Sequence, residues 1–388
     1  MPSMPSNRPL AIALLAASLT LALMPFDADA QRRRAAPKPP PGPTACTDFY
    51  GFVNKDWLTA HPSASGSPSM SVLAELQQRT LQQQQDLLDA AMQAPQNDIQ
   101  KLLGDFWASG LDETAVEADG AQPIATLLSR INAIRRAKDI APTIAALHQV
   151  GIPVAFSFSA DLDLANLDRH IGYFSEGGLG LPDPAYYTRT DEDTRALLGR
   201  YSDYVKRILQ LTGTPEARLA AEAQQVIDLE TRIAGLSRPI LSMRDPRTNY
   251  ALVPTEGFAK QYKHLRLQDF LKAQGVTDPN VSLANTQLFT QLDGWIGSLK
   301  ADQWKAYLRF QVGNAMAPYL SKDFRDAEFA FQGRVLRGET QPQPRKQLVL
   351  DAINRAARPM MAREYVAKHL PGATPTRATT VAESVRVA

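Results

Sequence analysis

Apolar residues recur at intervals of three and four along most of this chain, which is the spacing of one face of an α-helix. The clearest example is Asp191–Leu211, whose leucines, tyrosines and valine form one broad stripe. The same spacing predicts helices over Ser71–Ala94, Gln96–Ser109, Pro123–Ala137, Asp139–Val150, Thr214–Ala234, Asn285–Leu299, Ala301–Leu320 and Arg345–His369. In the helix after Thr214, we expect Thr214 as N-cap and Pro215 at the first helical position. The fold should therefore be mainly α.

One stretch of the chain has the two-residue alternation of a β-strand instead of helical spacing. Apolar and small residues alternate over Val154–Phe158, and a second short run follows at His170–Phe174. Between them lies an Asp/Asn-rich segment, Asp161–Asp168. This pattern predicts a small β-hairpin with a long loop.

The glycine-rich segment Gly177–Pro182 comes next, and its glycines give backbone freedom while the proline fixes the exit. A phosphate-binding loop needs a third glycine or a lysine at a set spacing, and both are absent here. A G-x-S-x-G nucleophile elbow is also absent. The motifs therefore favour neither nucleotide binding nor an α/β-hydrolase serine.

The amino terminus has the pattern of an export signal. Arg8 precedes an apolar run, Leu10–Met24, and Ala28 and Ala30 are small residues at the positions that a signal peptidase requires. A membrane anchor is the alternative, but the run falls short of the ~20 apolar residues that span a bilayer. We predict a signal peptide over residues 1–30, cleavage near Ala30, a periplasmic or secreted protein, and no stable membrane anchor.

A Pro/Arg-rich linker is expected over residues 31–43, because prolines keep the backbone extended and little there can be buried. The folded part then covers residues 44–388. The formal net charge is +2, and basic and acidic residues are mixed, so nucleic acid is not expected as a partner. Cys46 is the only cysteine. It could be a buried small residue, a reactive thiol or half of a disulfide whose other half is missing.

The chain lacks a local pair of metal ligands. Its histidines are His61, His148, His170, His264 and His369, and the closest two are 22 positions apart. A zinc helix instead places two histidines about one turn apart. Carboxylates such as Glu113 and Glu117 fit helix first turns and solvated faces, and His170 should be packed or hydrogen-bonded. We therefore assign no catalytic residue, no cofactor-binding residue and no metal ligand in this chain.

Six segments together resemble a known family. They are Cys46–Leu58 (CTDFYGFVNKDWL), Gly177–Tyr187 (GGLGLPDPAYY), Leu229–Ala234 (LETRIA), Arg244–Tyr250 (RDPRTNY), Ala317–Phe324 (APYLSKDF) and Phe329–Asn354. In order and spacing they resemble the amino-terminal region of the neprilysin and endothelin-converting-enzyme family of zinc metallopeptidases. The resemblance covers about residue 44 to the end. Gln343 and Lys346 depart from the R-P-R-W pattern of that family.

The resemblance implies a large helical cap lobe over residues 71–337, facing a thermolysin-like catalytic lobe across a closed cavity. Residues 46–69 would pack on the catalytic lobe, and residues 341–388 would be its truncated start. The H-E-x-x-H zinc motif and the glutamate ligand would lie beyond Ala388, so zinc is expected only for a complete family member. The resemblance also implies that Cys46 bonds to a cysteine that this chain lacks.

These expectations give one hypothesis and one alternative. The hypothesis is the cap portion of an exported zinc metalloendopeptidase that hydrolyses oligopeptides, inactive alone, with a separate carboxy-terminal catalytic lobe as a partner. The alternative is a stand-alone periplasmic peptide-binding or scaffold protein derived from the cap. Under the hypothesis, the ends of the folded part should expose unpartnered apolar residues. Those residues are Phe49, Tyr50, Phe52, Trp57, Leu348, Leu350 and Ile353.

Overall fold

The computed structural model describes residues 42, 44–60 and 72–387. Its residue contacts form two compact units, with the boundary between Gln77 and Gln78. The predicted mainly α-helical fold is confirmed, with one small four-stranded sheet. The predicted signal peptide and all of the predicted linker except Gly42 lie outside the described residues.

Within the described residues, helices account for most of the chain. The α-helices are α1 (Phe49–Val53), α2 (Lys55–Ala60), α3 (Val72–Gln93), α4 (Asp98–Leu111), α5 (Glu113–Asp119), α6 (Ala125–Asn132), α7 (Ile140–Gln149), α8 (Ala185–Thr188), α9 (Glu192–Leu211), α10 (Glu216–Ala234), α11 (Phe258–Gln261), α12 (Leu267–Ala273), α13 (Thr286–Ser298), α14 (Ala301–Met316), α15 (Lys322–Glu328), α16 (Arg345–Ala356), α17 (Arg358–His369) and α18 (Thr374–Val387). Short 3₁₀ segments lie at Gln122–Ile124, Ala137–Asp139, Ser242–Arg244, Pro246–Asn249 and Ala317–Tyr319, and a π-helix spans Phe329–Leu336.

In the first unit, Asp48 caps α1 by accepting a hydrogen bond from the backbone N–H of Gly51. The indole N–H of Trp57 donates to Oε2 of Glu75 over 3.2 Å. The large apolar side chains of α1 are exposed as predicted: Phe49 (67%), Tyr50 (66%) and Phe52 (51%). Trp57 is half-buried rather than exposed.

The main core of the second unit lies where α9, α10 and α14 pack together. Asp191 caps α9 by accepting from the N–H of Thr194. The predicted cap of α10 is wrong by one residue, since Pro215 occupies the N-cap position. The Thr214 hydroxyl lies one position before the N-cap and donates to Oε2 of Glu222 over 2.8 Å.

The sheet has the strand order β1-β2-β4-β3, with β1 (Ser157–Asp163), β2 (Asn166–Ser175), β3 (Leu252–Pro254) and β4 (Asn280–Leu283). Strands β1 and β2 form the predicted hairpin, and β2 pairs with β4 in parallel. The predicted long loop is wrong, because only residues 164 and 165 connect the two strands. The buried carboxylate of Asp163 makes this tight turn possible: it accepts hydrogen bonds from the Ala165 N–H and the Arg169 and Tyr250 side chains.

A second, smaller core joins α3, α4, α16 and α17. It contains Leu87, Leu88, Leu103, Trp107, Val349, Leu350, Ile353 and Met361. The prediction that Leu350 and Ile353 are exposed is therefore wrong, since both are fully buried. A Cβ on Gly110 would lie 2.4 Å from Cγ1 of Val349, so α4 and α16 pack closely. Residues 345–369 thus complete a core that begins in α3.

Three predicted helices are shorter or divided. The helix predicted over Arg345–His369 breaks at Ala357, because Pro359 lies in the first turn of α17 and cannot donate the hydrogen bond that a continuous helix requires. Pro123 lies in a 3₁₀ turn before α6, and Pro318 lies in the 3₁₀ turn that ends α14. Proline therefore sets these boundaries.

Candidate functional site

One buried carboxylate, Glu230 of α10, fixes residues Gly177–Tyr187, which we call the glycine segment. Glu230 has no exposed surface. Its Oε1 accepts hydrogen bonds from the Gly180 N–H over 3.1 Å and from Nε2 of Gln311 over 2.7 Å. Its Oε2 accepts from the hydroxyls of Tyr187 over 2.9 Å and Tyr201 over 2.6 Å. We call these five residues the Glu230 network.

Burial and hydrogen bonding shift the pKa values of the acidic groups in the Glu230 network. Burial raises the pKa of Glu230 to about 8, while the four converging donors act in the opposite direction. Burial and the nearby carboxylate raise the pKa values of Tyr187 and Tyr201 well above their ordinary value, so both phenols stay neutral. A buried acid is tolerable here because both of its oxygens are fully hydrogen-bonded.

Two glycines let the backbone approach this network. Gly178 has a φ of +76°, and a Cβ there would lie 2.4 Å from both the backbone N of Ala155 and the hydroxyl of Tyr307. A Cβ on Gly180 would lie 1.9 Å from the Tyr201 hydroxyl. The Tyr307 hydroxyl donates to the Gly178 carbonyl over 2.7 Å and accepts from the Ala155 N–H over 2.8 Å. The segment therefore requires glycine at both positions.

An ion pair holds the start of the glycine segment. The Arg238 guanidinium donates to both carboxylate oxygens of Glu176 over 2.6 and 2.8 Å. Asn285, the N-cap of α13, donates to Glu176 and to the Leu236 carbonyl. These contacts join the exit of β2 to the end of α10 and the start of α13.

The Glu230 network positions the backbone of the glycine segment, and its central carboxylate has no exposed surface. Glu230 was not predicted from the sequence as a functional residue. A signal was present: Glu230 lies in the apolar stripe of α10, four positions after Val226 and three before Ile233, both fully buried. A carboxylate at such a position needs buried partners.

The histidines are dispersed. His148 bonds through Nε2 to the backbone of Val154, His264 is exposed, and His369 contacts the ring of Tyr365. His170, predicted to be packed or hydrogen-bonded, is instead an exposed residue of β2; His61 lies outside the described residues. Residues 44–60 and 72–387 contain no group of three or more His, Cys, Asp or Glu side chains that could hold a metal ion. These residues do not fit a zinc ion.

Cys46 and the two α5 carboxylates, Glu113 and Glu117, are exposed. Cys46 is an exposed free thiol, so the hypothesis of a buried small residue is wrong. Glu113 lies in the first turn of α5, and Glu113 and Glu117 are both exposed, as predicted; both also form ion pairs with Arg325. Glu117 also accepts from the backbone N–H of Lys322, which ties α5 to the start of α15.

Solved structures share the fold of this chain, and one of these proteins is a zinc metalloprotease. The chain superposes on Mycobacterium tuberculosis zinc metalloprotease Zmp1 in its open state with a TM-score of 0.78 and 26% identity, over 87% of this chain and 53% of that one. PepO from Lactobacillus rhamnosis gives a TM-score of 0.71 at 17% identity, which supports the fold alone. The architecture is thus that of an amino-terminal region of this metalloprotease class.

The family follows from the sequence. The pattern of Peptidase family M13 matches residues 45–388, so the chain belongs to that family and corresponds to its amino-terminal region. Neprilysin-3 of Drosophila melanogaster is 25% identical over 73% of this chain and 39% of its own length. Mouse endothelin-converting enzyme-like 1 is 23% identical over 88% of this chain and 46% of its own length. The chain spans less than half the length of these curated relatives, and the neprilysin resemblance is confirmed.

No helix within the described ranges is both long and apolar enough to cross a membrane.

Proposed function

We propose that this chain is the cap portion of an exported zinc metalloendopeptidase that hydrolyses oligopeptides, and that the chain alone is inactive. The observation that carries the proposal is the family match over residues 45–388, together with dispersed histidines among the described residues. Relatives whose names state a zinc metalloprotease, including Zmp1 in complex with an inhibitor, support the substrate class. Domain boundaries near residues 71, 337 and 341 belong to the same proposal.

The chain's own residues would act by positioning. The Glu230 network and the Glu176–Arg238 pair hold the glycine segment rigidly, which is what a cavity wall needs to keep one shape while substrate binds. The exposed apolar residues of α1 would pack on the catalytic lobe. A zinc ion, when bound by a complete enzyme, would supply the activated water for peptide hydrolysis.

An internally quenched oligopeptide and the purified chain test this proposal. We expect no hydrolysis above background with or without added zinc, and no stoichiometric zinc after dialysis, because the described residues do not assemble a tetrahedral site. A carboxy-terminal lobe with an H-E-x-x-H motif, encoded downstream, should restore chelator-sensitive hydrolysis when added. Chelator-sensitive cleavage by the contaminant-free chain alone would contradict the proposal.

A further inference from the structure

A groove in the second unit lies between the end of α3, the start of α4 and α17. Its volume is about 380 Å³, at the small end of the range for ligand-binding pockets. The apolar part of its wall comes from α3 and includes Leu87, Ala90 and Ala91, while Gln100, Glu364 and Lys368 supply polar groups. The groove is distinct from the Glu230 network.

Glu364 in this groove is a buried carboxylate with only neutral partners. The residue is 6% exposed. Its Oε2 accepts from Nε2 of Gln100 over 2.8 Å, and both of its oxygens lie 3.4 Å from Nδ2 of Asn97. Glu364 takes part in none of the ion pairs formed within residues 44–60 and 72–387. Buried charges in proteins are normally paired with an opposite charge, whereas the partners of Glu364 are two neutral amides at the start of α4.

The adjoining helix end adds to the negative potential. Helix α3 is 22 residues long, it ends at Gln93 beside the groove, and its last turn contains no basic residue. The carbonyl end of a helix carries partial negative charge that favours a nearby cation. The Glu364 carboxylate and the end of α3 therefore both contribute negative potential to the groove, next to the alanine and leucine side chains of its wall.

We propose that this groove binds a primary ammonium group on a short aliphatic stem. The ammonium would pair with Glu364, and the stem would pack on Leu87 and the α3 alanines. A peptide's lysine side chain presents both the ammonium and the stem, and a peptide's amino terminus presents the ammonium beside its first side chain. Lys368 is exposed at the rim, one turn after Glu364 on α17, so its own ammonium is the natural competitor for the site.

Calorimetric titration of the full chain with three probes tests the proposal. Nα-acetyl-lysine amide presents the ammonium on a side chain, alanine amide presents it at an amino terminus, and Nα-acetyl-norleucine amide lacks it. We expect one-to-one binding of at least one of the first two, and whichever binds identifies the source. The norleucine probe should bind at least tenfold more weakly.

Variants make the assignment to Glu364 specific. Glu364→Gln keeps the shape and an acceptor for Gln100 but removes the charge, so affinity should fall at least tenfold with an unchanged circular dichroism spectrum. Asp105→Asn removes an equal charge from the exposed face of α4 and should leave the affinity unchanged. Lys368→Met should bind equally or more tightly.

Three results would overturn the proposal. One is equal binding of the norleucine probe, and another is undiminished binding to a folded Glu364→Gln variant. The third is no binding to the wild-type chain at millimolar probe; if Lys368→Met then binds, the occupant is the chain's own Lys368.

Discussion

At the scale of single residues, Glu230 joins two sequence motifs that are about fifty positions apart. The LETRIA motif contains the carboxylate, and the glycine segment contains Gly180 and Tyr187, which bind to it. Tyr201 and Gln311 complete the set from α9 and α14. The two motifs therefore depend on each other physically, because the Gly180 N–H and the Tyr187 hydroxyl donate to the buried Glu230 carboxylate.

Replacing Glu230 by methionine should destabilise the chain by about 2–5 kcal/mol, because four buried donors would lose their acceptor. Glu230→Gln should lower the free energy of unfolding by much less. Its oxygen can accept from Gly180 and Gln311, and its amide can donate to the two tyrosine hydroxyls. Urea unfolding of the three proteins measures this, and equal losses for both variants would contradict the assigned geometry.

The pH dependence of stability should separate wild type from Glu230→Gln. The pKa of Glu230 is raised from 4.5 to about 8 in the folded chain, so the folded state binds the extra proton. The stabilisation is complete below pH 4.5 and is lost as pH rises through about 8. Between these values, the unfolding free energy of wild type relative to Glu230→Gln should fall by up to about 1.4 kcal/mol per pH unit. A pH-independent difference would exclude a titrating Glu230.

Glycine substitutions test the glycine segment. Gly178→Ala should cost about 2–4 kcal/mol, since it combines a positive φ with a Cβ 2.4 Å from two atoms of the core. Gly199→Ala is the matched control: it lies in α9 with open space around its Cβ and should be neutral or stabilising by up to about 1 kcal/mol. Thermal unfolding measures both changes. Similar effects at the two sites would be inconsistent with the described contacts.

At the scale of elements, α16 and α17 belong to a core with α3 and α4, whereas α18 contributes no buried residue. Limited proteolysis should therefore cut first beyond Leu370 and leave residues 345–369 protected. Leu350→Ala should remove that protection and cost about 2–5 kcal/mol, because Leu350 is fully buried. Val381→Ala, on the exposed side of α18, is the control. Early cleavage within α16 in wild type would contradict this packing.

Most helices could be predicted because a stripe of buried residues recurs along each, as in α9 with Tyr201, Val205 and Ile208. Helix ends were less predictable where a proline lies at the boundary, as after Ala357 and at Pro215. Strands β3 and β4 have three and four residues, too few for alternation to appear. The position of Glu230 in an apolar stripe could be recognised from the sequence, but its partners could not, because they come together only when α9, α10 and α14 pack.

At the scale of the whole molecule, export is the property that the amino terminus predicts. Expression in a bacterial host with an export pathway should yield a mature chain that begins at Gln31, because Ala28 and Ala30 fit the peptidase that cleaves such signals. Amino-terminal sequencing measures this. Changing Ala28 and Ala30 to bulky residues should block cleavage and leave the precursor. A mature protein that retains Leu10–Met24 would indicate an anchor instead.

The parallel pairing of β2 with β4 has a consequence for how the chain reaches its fold. Tyr173 and Ser282 are neighbours in the sheet although more than a hundred residues separate them. Helices α9 and α10 lie within that interval and form from local contacts, so they can bring the strands together at lower entropic cost than an open loop. During synthesis, the hairpin leaves the ribosome long before β4. The edge of β2 that later pairs with β4 therefore remains unpaired during this time. Non-native association of this chain should begin at this unpaired edge of β2.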